Sequence, residues 1–179
     1  MDIEIAGISE KIIQDMIVES VEKVFKTMLS LDISFTGSAS YSSDPSKPAP
    51  VCPISRDKNI VAGSVGFIGT INGVMYIYLE EALAIKLTGS FLGMTETEVT
   101  SNGHETVNDA LGELTNMTVG TFKNQLCDMG YNCRLTIPSI LRGNHFAVET
   151  TVSSSIVRTS YRFQTGGVPY VVDLLMKKN

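Results

Sequence analysis

The sequence has no tryptophan, only two histidines and three cysteines in 179 residues, and fewer basic than acidic side chains, 14 against 19. Each shortage excludes something. Cys52, Cys127 and Cys133 are odd in number and lack zinc-site spacing, so neither a disulfide framework nor structural zinc is expected, and reduced thiols in a cytoplasm are the economical reading. His104 and His145 have no third ligand nearby, so both are expected to be surface histidines, and no metal site is visible. The net charge of −5 argues against nucleic acid or an anionic membrane as partner and suits a basic-rimmed protein. No apolar run approaches membrane-spanning length, and the start MDIEIAGISEK is acidic where a secretory signal would be basic. Also missing are a nucleophile paired with a base, a phosphate loop of the G-x-x-x-x-G-K type, and convergent titratable groups suited to a small-molecule enzyme.

What is present reads as one soluble domain, 1–179, with 43% hydrophobic residues and length enough for a sizeable core. Residues 9–29 form an amphipathic helix, with Ser9 as N-cap and Ile12, Ile13, Met16, Ile17, Val21, Val24, Phe25 and Met28 on one broad face. Residues 31–35 alternate as a short strand and lead into TGSASYSSDPSKPAPVCP, whose four prolines exclude regular interior structure; 44–58 is expected to be a proline-rich surface loop. The runs 60–69 and 74–79 form a hairpin about Asn72-Gly73. Residues 80–92 follow as a helix ended by Gly93, and TETEVTSN is a linker. Beyond Gly130 the sequence predicts a strand over 133–137 stopped by Pro138, a loop over 139–144, and strands over 146–151, 155–163 and 168–175. Three helices and about six strands, in separate runs, predict an α+β fold with helices packed on a mainly antiparallel sheet. The C-terminal strands are candidate pairing edges.

The stretch 102–128, NGHETVNDALGELTNMTVGTFKNQLCD, organises the rest. Val107, Ala110, Leu111, Leu114, Met117, Thr118, Phe122 and Leu126 make one apolar stripe of a long helix, with Asn102 and Glu105 as a capping pair and Gly130 as the stop. On its polar side Glu105, Asp109, Glu113 and Asn116 follow at steps of four, four and three, so three carboxylates and an amide share one line. Like charges four apart destabilise a helix by about 0.2–0.5 kcal/mol per pair, and only Glu105 is close enough to the N-terminus for the dipole to offset much of it. Gly112 and Gly120 stand four residues either side of Asn116, each at about 1 kcal/mol relative to alanine, and leave it without tall neighbours. A solvated face is the commoner explanation of an acidic line, and close packing explains interior glycines at least as well as clearance for a partner. Only the conjunction singles out Asn116.

Asp109-x-x-x-Glu113-x-x-Asn116 within NDALGELTNM, followed by Pro138 in LTIPSILRG, resembles the signature of the CheC/CheX/FliY phosphatases, which act on the phosphorylated chemotaxis response regulator CheY. The segment LTGSFLGMTETEV is similar in order and spacing too, so the resemblance covers most of the chain after about Asn59; the first sixty residues match only as a leading helix. CheC-type members carry a second Glu-x-x-Asn, but Glu10 and Glu19 are followed three residues on by Ile13 and Glu22. One site per chain is implied, as in CheX.

The resemblance implies a CheC-like fold, a homodimer with the sheet extended across it, and hydrolysis of an aspartyl phosphate on a CheY-like partner, ending a chemotaxis or motility signal. It implies that Asn116 holds the attacking water and that Glu113 pairs with the partner's lysine. Asp109 would support docking with Glu105, Gly112 and Gly120, and Pro138 would shape the adjoining loop. No cofactor of its own is implied; Mg²⁺ is expected on the partner. The competing expectation is a non-catalytic adaptor, since flagellar switch proteins share the fold without the phosphatase pair.

Overall fold

The computed structural model describes residues 4–41, 54, 57–144, 148 and 156–177. In chain order the elements are β1 (Glu4–Ile5), β2 (Ile8–Ser9), α1 (Glu10–Leu29), β3 (Ser34–Tyr41), β4 (Ile60–Gly69), β5 (Gly73–Glu80), α2 (Glu81–Leu92), α3 (Glu96–Ser101), α4 (His104–Asp128), β6 (Cys133–Leu135), β7 (Ser139–Gly143), β8 (Ile156–Thr165) and β9 (Val168–Lys177). β1 and β2 pair as a small hairpin. The other seven strands form one sheet in the order β3-β8-β9-β5-β4-β6, with β7 pairing farther along the β4 edge, and all pairs are antiparallel. The α+β expectation is met.

Alternation along the strands divides the sheet faces. Val61, Val65 and Phe67 of β4, Met75, Ile77 and Leu79 of β5, and Val172, Leu174 and Met176 of β9 join the helix-side core with Ile13, Ile17, Val21 and Phe25 of α1 and Leu111, Leu114, Val119 and Phe122 of α4. Ring contacts fasten both long helices: Phe25 stacks on Tyr170 at 5.1 Å, and Phe122 meets the Phe67 ring edge-on at 5.8 Å. Ile60, Ala62, Tyr78 and Val171 form a smaller cluster on the opposite face. There β8 and β9 also carry a buried ionic group. The Arg158 guanidinium donates to Asp173 Oδ2 through Nε at 2.8 Å and Nη2 at 2.5 Å, Ser160 donates to Oδ1, and Arg158 Nη1 donates to the Val148 carbonyl at 3.0 Å. Burial pushes the Asp173 carboxyl above its ordinary range, while Arg158 and Ser160 pull it back.

Several boundaries differ from the sequence expectations. The strand expected at 31–35 is instead β3, which takes up Thr36–Tyr41 of the supposed loop. Its serines and threonines find partners there: Ser38 Oγ donates to Gln14 Oε1 at 2.8 Å, Ser40 Oγ to Glu10 Oε1 at 2.7 Å, and Thr36 Oγ1 to the Arg162 carbonyl at 3.2 Å. The linker before the long helix contains α3, closed by a capping box in which Glu98 N–H donates to Thr95 Oγ1 at 3.3 Å and Thr95 N–H to Glu98 Oε2 at 2.8 Å. Asn102 therefore ends α3 and does not cap α4, whose N-cap is Gly103 with no side-chain bond. Residues 139–143, expected as loop, are strand β7, because β4 offers them an unpaired edge. The hairpin after β4 turns on Thr70-Ile71-Asn72, with Asn72 Oδ1 accepting from Gly69 N–H at 3.1 Å, and Gly73 already lies in β5. The C-terminal strands are interior: β8 lies between β3 and β9, and β9 between β8 and β5, so the sheet edges are β3 on one side and β6 with β7 on the other. Of the proline-rich stretch 44–58 only 54, 57 and 58 are described, and the strand expected over 146–151 falls outside the described residues except 148.

α4 approaches β4 closely at one point. A Cβ built on Gly63 would stand 2.1 Å from Thr115 Oγ1, which is turned inward by its 2.7 Å bond to the Leu111 carbonyl. Gly112 and Gly120 are different: a Cβ on either would meet Pro138 Cβ or Leu135 Cδ1 at 3.8 Å, ordinary contact. Gly63→Ala should therefore destabilise the fold by about 1–3 kcal/mol in thermal or urea melts. Gly112→Ala and Gly120→Ala should hold or raise stability, by up to about 1 kcal/mol each.

Candidate functional site

α4 leaves one face open because its other sides are occupied. The expected stripe is buried: Val107, Ala110, Leu111, Leu114, Thr118, Phe122 and Leu126, with Gly112, Thr115 and Val119 added and Met117 half-buried. At the helix start, Arg142 of β7 donates through Nη1 to Glu81 of α2 and through Nη2 to Asn108 Oδ1 at 3.0 Å, joining three elements. At the other end Gly130, with φ of 91°, lets Tyr131 N–H reach the Leu126 carbonyl at 2.9 Å. Next to it Cys127 and Cys133 are free, half-buried thiols; burial and the neighbouring Cys127 hold the Cys133 thiol above its ordinary range.

On this helix Glu105, Asp109 and Glu113 are exposed and Asn116 is half-buried. None of the four side chains has a hydrogen-bond or ion-pair partner among the described residues. At 1.5 Å per residue the line runs about 16 Å from Glu105 to Asn116, with Asn116 about 4.5 Å beyond Glu113. The step from acid to amide is thus a single helical turn, with no described residue competing for either group.

The neighbouring wall of the site is the β6–β7 joint. Gly112 is buried under Pro138 and Gly120 is half-buried beside Leu135, so residues 135–138 run alongside the Gly112–Asn116–Gly120 line. The glycine contacts are loose enough that close packing does not require them; Gly112 is covered by Pro138, so clearance beside the amide is left only on the Gly120 side. The joint is rigidly tied. Thr136 N–H donates to the Gly66 carbonyl at 2.8 Å, and Gly66 N–H donates back to Thr136 Oγ1 at 2.9 Å. Between this tie and Pro138 stands Ile137, 85% exposed. The sequence pattern places Ile137 at the end of a strand, whereas β6 ends at Leu135, and it does not single out Arg142. The overlooked signal for Ile137 was an apolar residue immediately before a proline that ends pairing. Nothing in the sequence pattern marked Arg142, whose partners come from distant segments. His104 Nδ1 lies 3.8 Å from Glu81 Oε1, and no group of three or more potential metal ligands is found among the described residues.

Residues 61–161, more than half of the chain and including both α4 and the Pro138 joint, match the family of the chemotaxis phosphatase CheX. Among curated proteins no sequence matches. Among solved structures the chain is similar to the chemotaxis protein CheX from Vibrio vulnificus, at 23% identity and a TM-score of 0.70 over 92% of this chain and 99% of that one. It is similar to CheX in a CheX-CheY-BeF3-Mg complex from Borrelia burgdorferi, at 16% identity and 0.65 over 92% and 97%. A more distant likeness, 16% identity and 0.53 over 93% and 92%, is to the FliM middle domain from Vibrio alginolyticus. No helix among the described residues is long and apolar enough to cross a membrane. The chain belongs to the CheX family of chemotaxis phosphatases.

Proposed function

We propose that this chain accelerates hydrolysis of the aspartyl phosphate of a CheY-like response regulator, with Asn116 and Glu113 as the working pair. The observation that carries it is the half-buried Asn116 amide, unpartnered among the described residues and standing between two glycines one turn beyond an unpartnered glutamate. The solved complex of the Borrelia burgdorferi relative with CheY supports the choice of partner.

The chemistry asks little of the phosphatase. Water oxygen bonds to phosphorus while the acyl oxygen–phosphorus bond breaks, and the leaving group is a carboxylate, stable at neutral pH without a proton. What remains is to place the water in line and to neutralise charge on the phosphoryl oxygens. An amide does the first well, since its carbonyl oxygen accepts from the water while its NH₂ donates to a phosphoryl oxygen. Mg²⁺ and a lysine on the partner would supply the second, with Glu113 holding that lysine and Asp109 and Glu105 extending the acidic approach. The acidic line has the sign to steer a basic-rimmed partner toward α4. The homodimer implied by the resemblance would use β3, because the opposite edge, β6 with β7, borders the site.

The second reading, an adaptor that binds a regulator without hydrolysing its phosphate, is favoured by the fold likeness to the FliM middle domain. Decay of a phosphorylated CheY-type receiver domain in Mg²⁺ separates the two. Wild type should speed the decay and Asn116→Ala should not, though it still binds; equal rates with both would end the role of Asn116, and binding by wild type without acceleration would favour the adaptor. Glu113→Ala should bind more weakly, with a salt dependence shallower than wild type because one charge pair is gone.

A further inference from the structure

Ile137 is the most exposed large hydrophobic side chain among the described residues. Its surroundings are not loose. Thr136 is hooked to β4 in both directions, Pro138 rests against Gly112, and β7 begins at the next residue. The backbone is therefore ordered before any partner arrives, so covering Ile137 removes apolar surface from water with little loss of chain freedom. Its position is equally specific. Pro138 and Leu135, the contacts of Gly112 and Gly120, bracket Ile137 in sequence as the two glycines bracket Asn116 on the helix. A partner that receives Asn116 and Glu113 has to lie over the same ledge.

We infer that Ile137 is an apolar anchor for the regulator, inserted into a hydrophobic depression beside the partner's phosphorylation site, and that it sets affinity and partner choice without entering the chemistry. This rests on the regulator-binding reading above. The acidic line and Ile137 then divide recognition by range: charge acts before contact and is screened by salt, whereas apolar burial acts on contact and is not.

The test measures two quantities for wild type, Ile137→Ser and Ile137→Leu: affinity for a CheY-type receiver domain loaded with beryllofluoride and Mg²⁺, and kcat and KM with the phosphorylated domain. Ile137→Ser should raise Kd and KM roughly ten- to hundredfold, the range expected for losing one buried aliphatic side chain. Its kcat and melting temperature should match wild type, and the ratio of Kd values should be the same at low and high salt. Ile137→Leu should stay close to wild type. An unchanged Kd for Ile137→Ser would overturn the anchor, as would a fall in kcat at constant KM, which would put Ile137 in the placement of α4. If wild type binds without accelerating decay, the phosphatase reading fails while the Kd ratio still decides the anchor; if wild type does not bind, both fall.

Discussion

The contact of α4 with β4 at Gly63 sets the height of everything on the open face of α4. Thr115 and Asn116 are consecutive, so the depth at which the Thr115 hydroxyl seats against the strand fixes how far the amide stands out. Phe122 on Phe67 repeats the fastening two turns later, and Arg142 ties the helix start to α2 and β7. The role proposed for Asn116 would need this, because small misplacements weaken catalysis by positioning steeply. The rigidity comes from the buried side and from ties at the edges of the site, not from bonds to Asn116 itself.

That division explains why the exposed side tolerates sequence choices that stability alone disfavours. An acidic line without ion-pair partners among the described residues and two interior glycines each weaken the isolated helix. The core beneath, with Leu111, Leu114, Val119, Phe122 and Leu126 almost fully covered, is large enough to hold α4 in place regardless. The surface can then be arranged for a partner.

The legible features were those with a local signal. The α4 stripe, the Ser9 cap of α1 and the Gly93 end of α2 follow from spacing and residue type, and each appears where the pattern put it. The carboxylates and Asn116 were legible as a line because a helix converts spacing into direction. The Thr95-x-x-Glu98 box is written in the sequence as well, but the Asn102 and Glu105 pair is the more visible start signal and masks it. What escaped depends on distant segments: the pairing of β7 with β4, the extension of β3 against β8, and the closeness of Gly63 to Thr115. No window of neighbouring residues contains that information.

The buried group on the far side of the sheet has a different consequence. Arg158 and Asp173 satisfy each other in a place with almost no water, so replacing either alone strands its partner as an unpaired charge, at a cost of about 3–5 kcal/mol. An uncharged pair of similar volume could fold as well or better, yet every one-step path to it passes through that stranded charge. The two positions are thus bound to one another in any drift of the sequence, because the salt bridge cannot be dismantled one residue at a time without that cost.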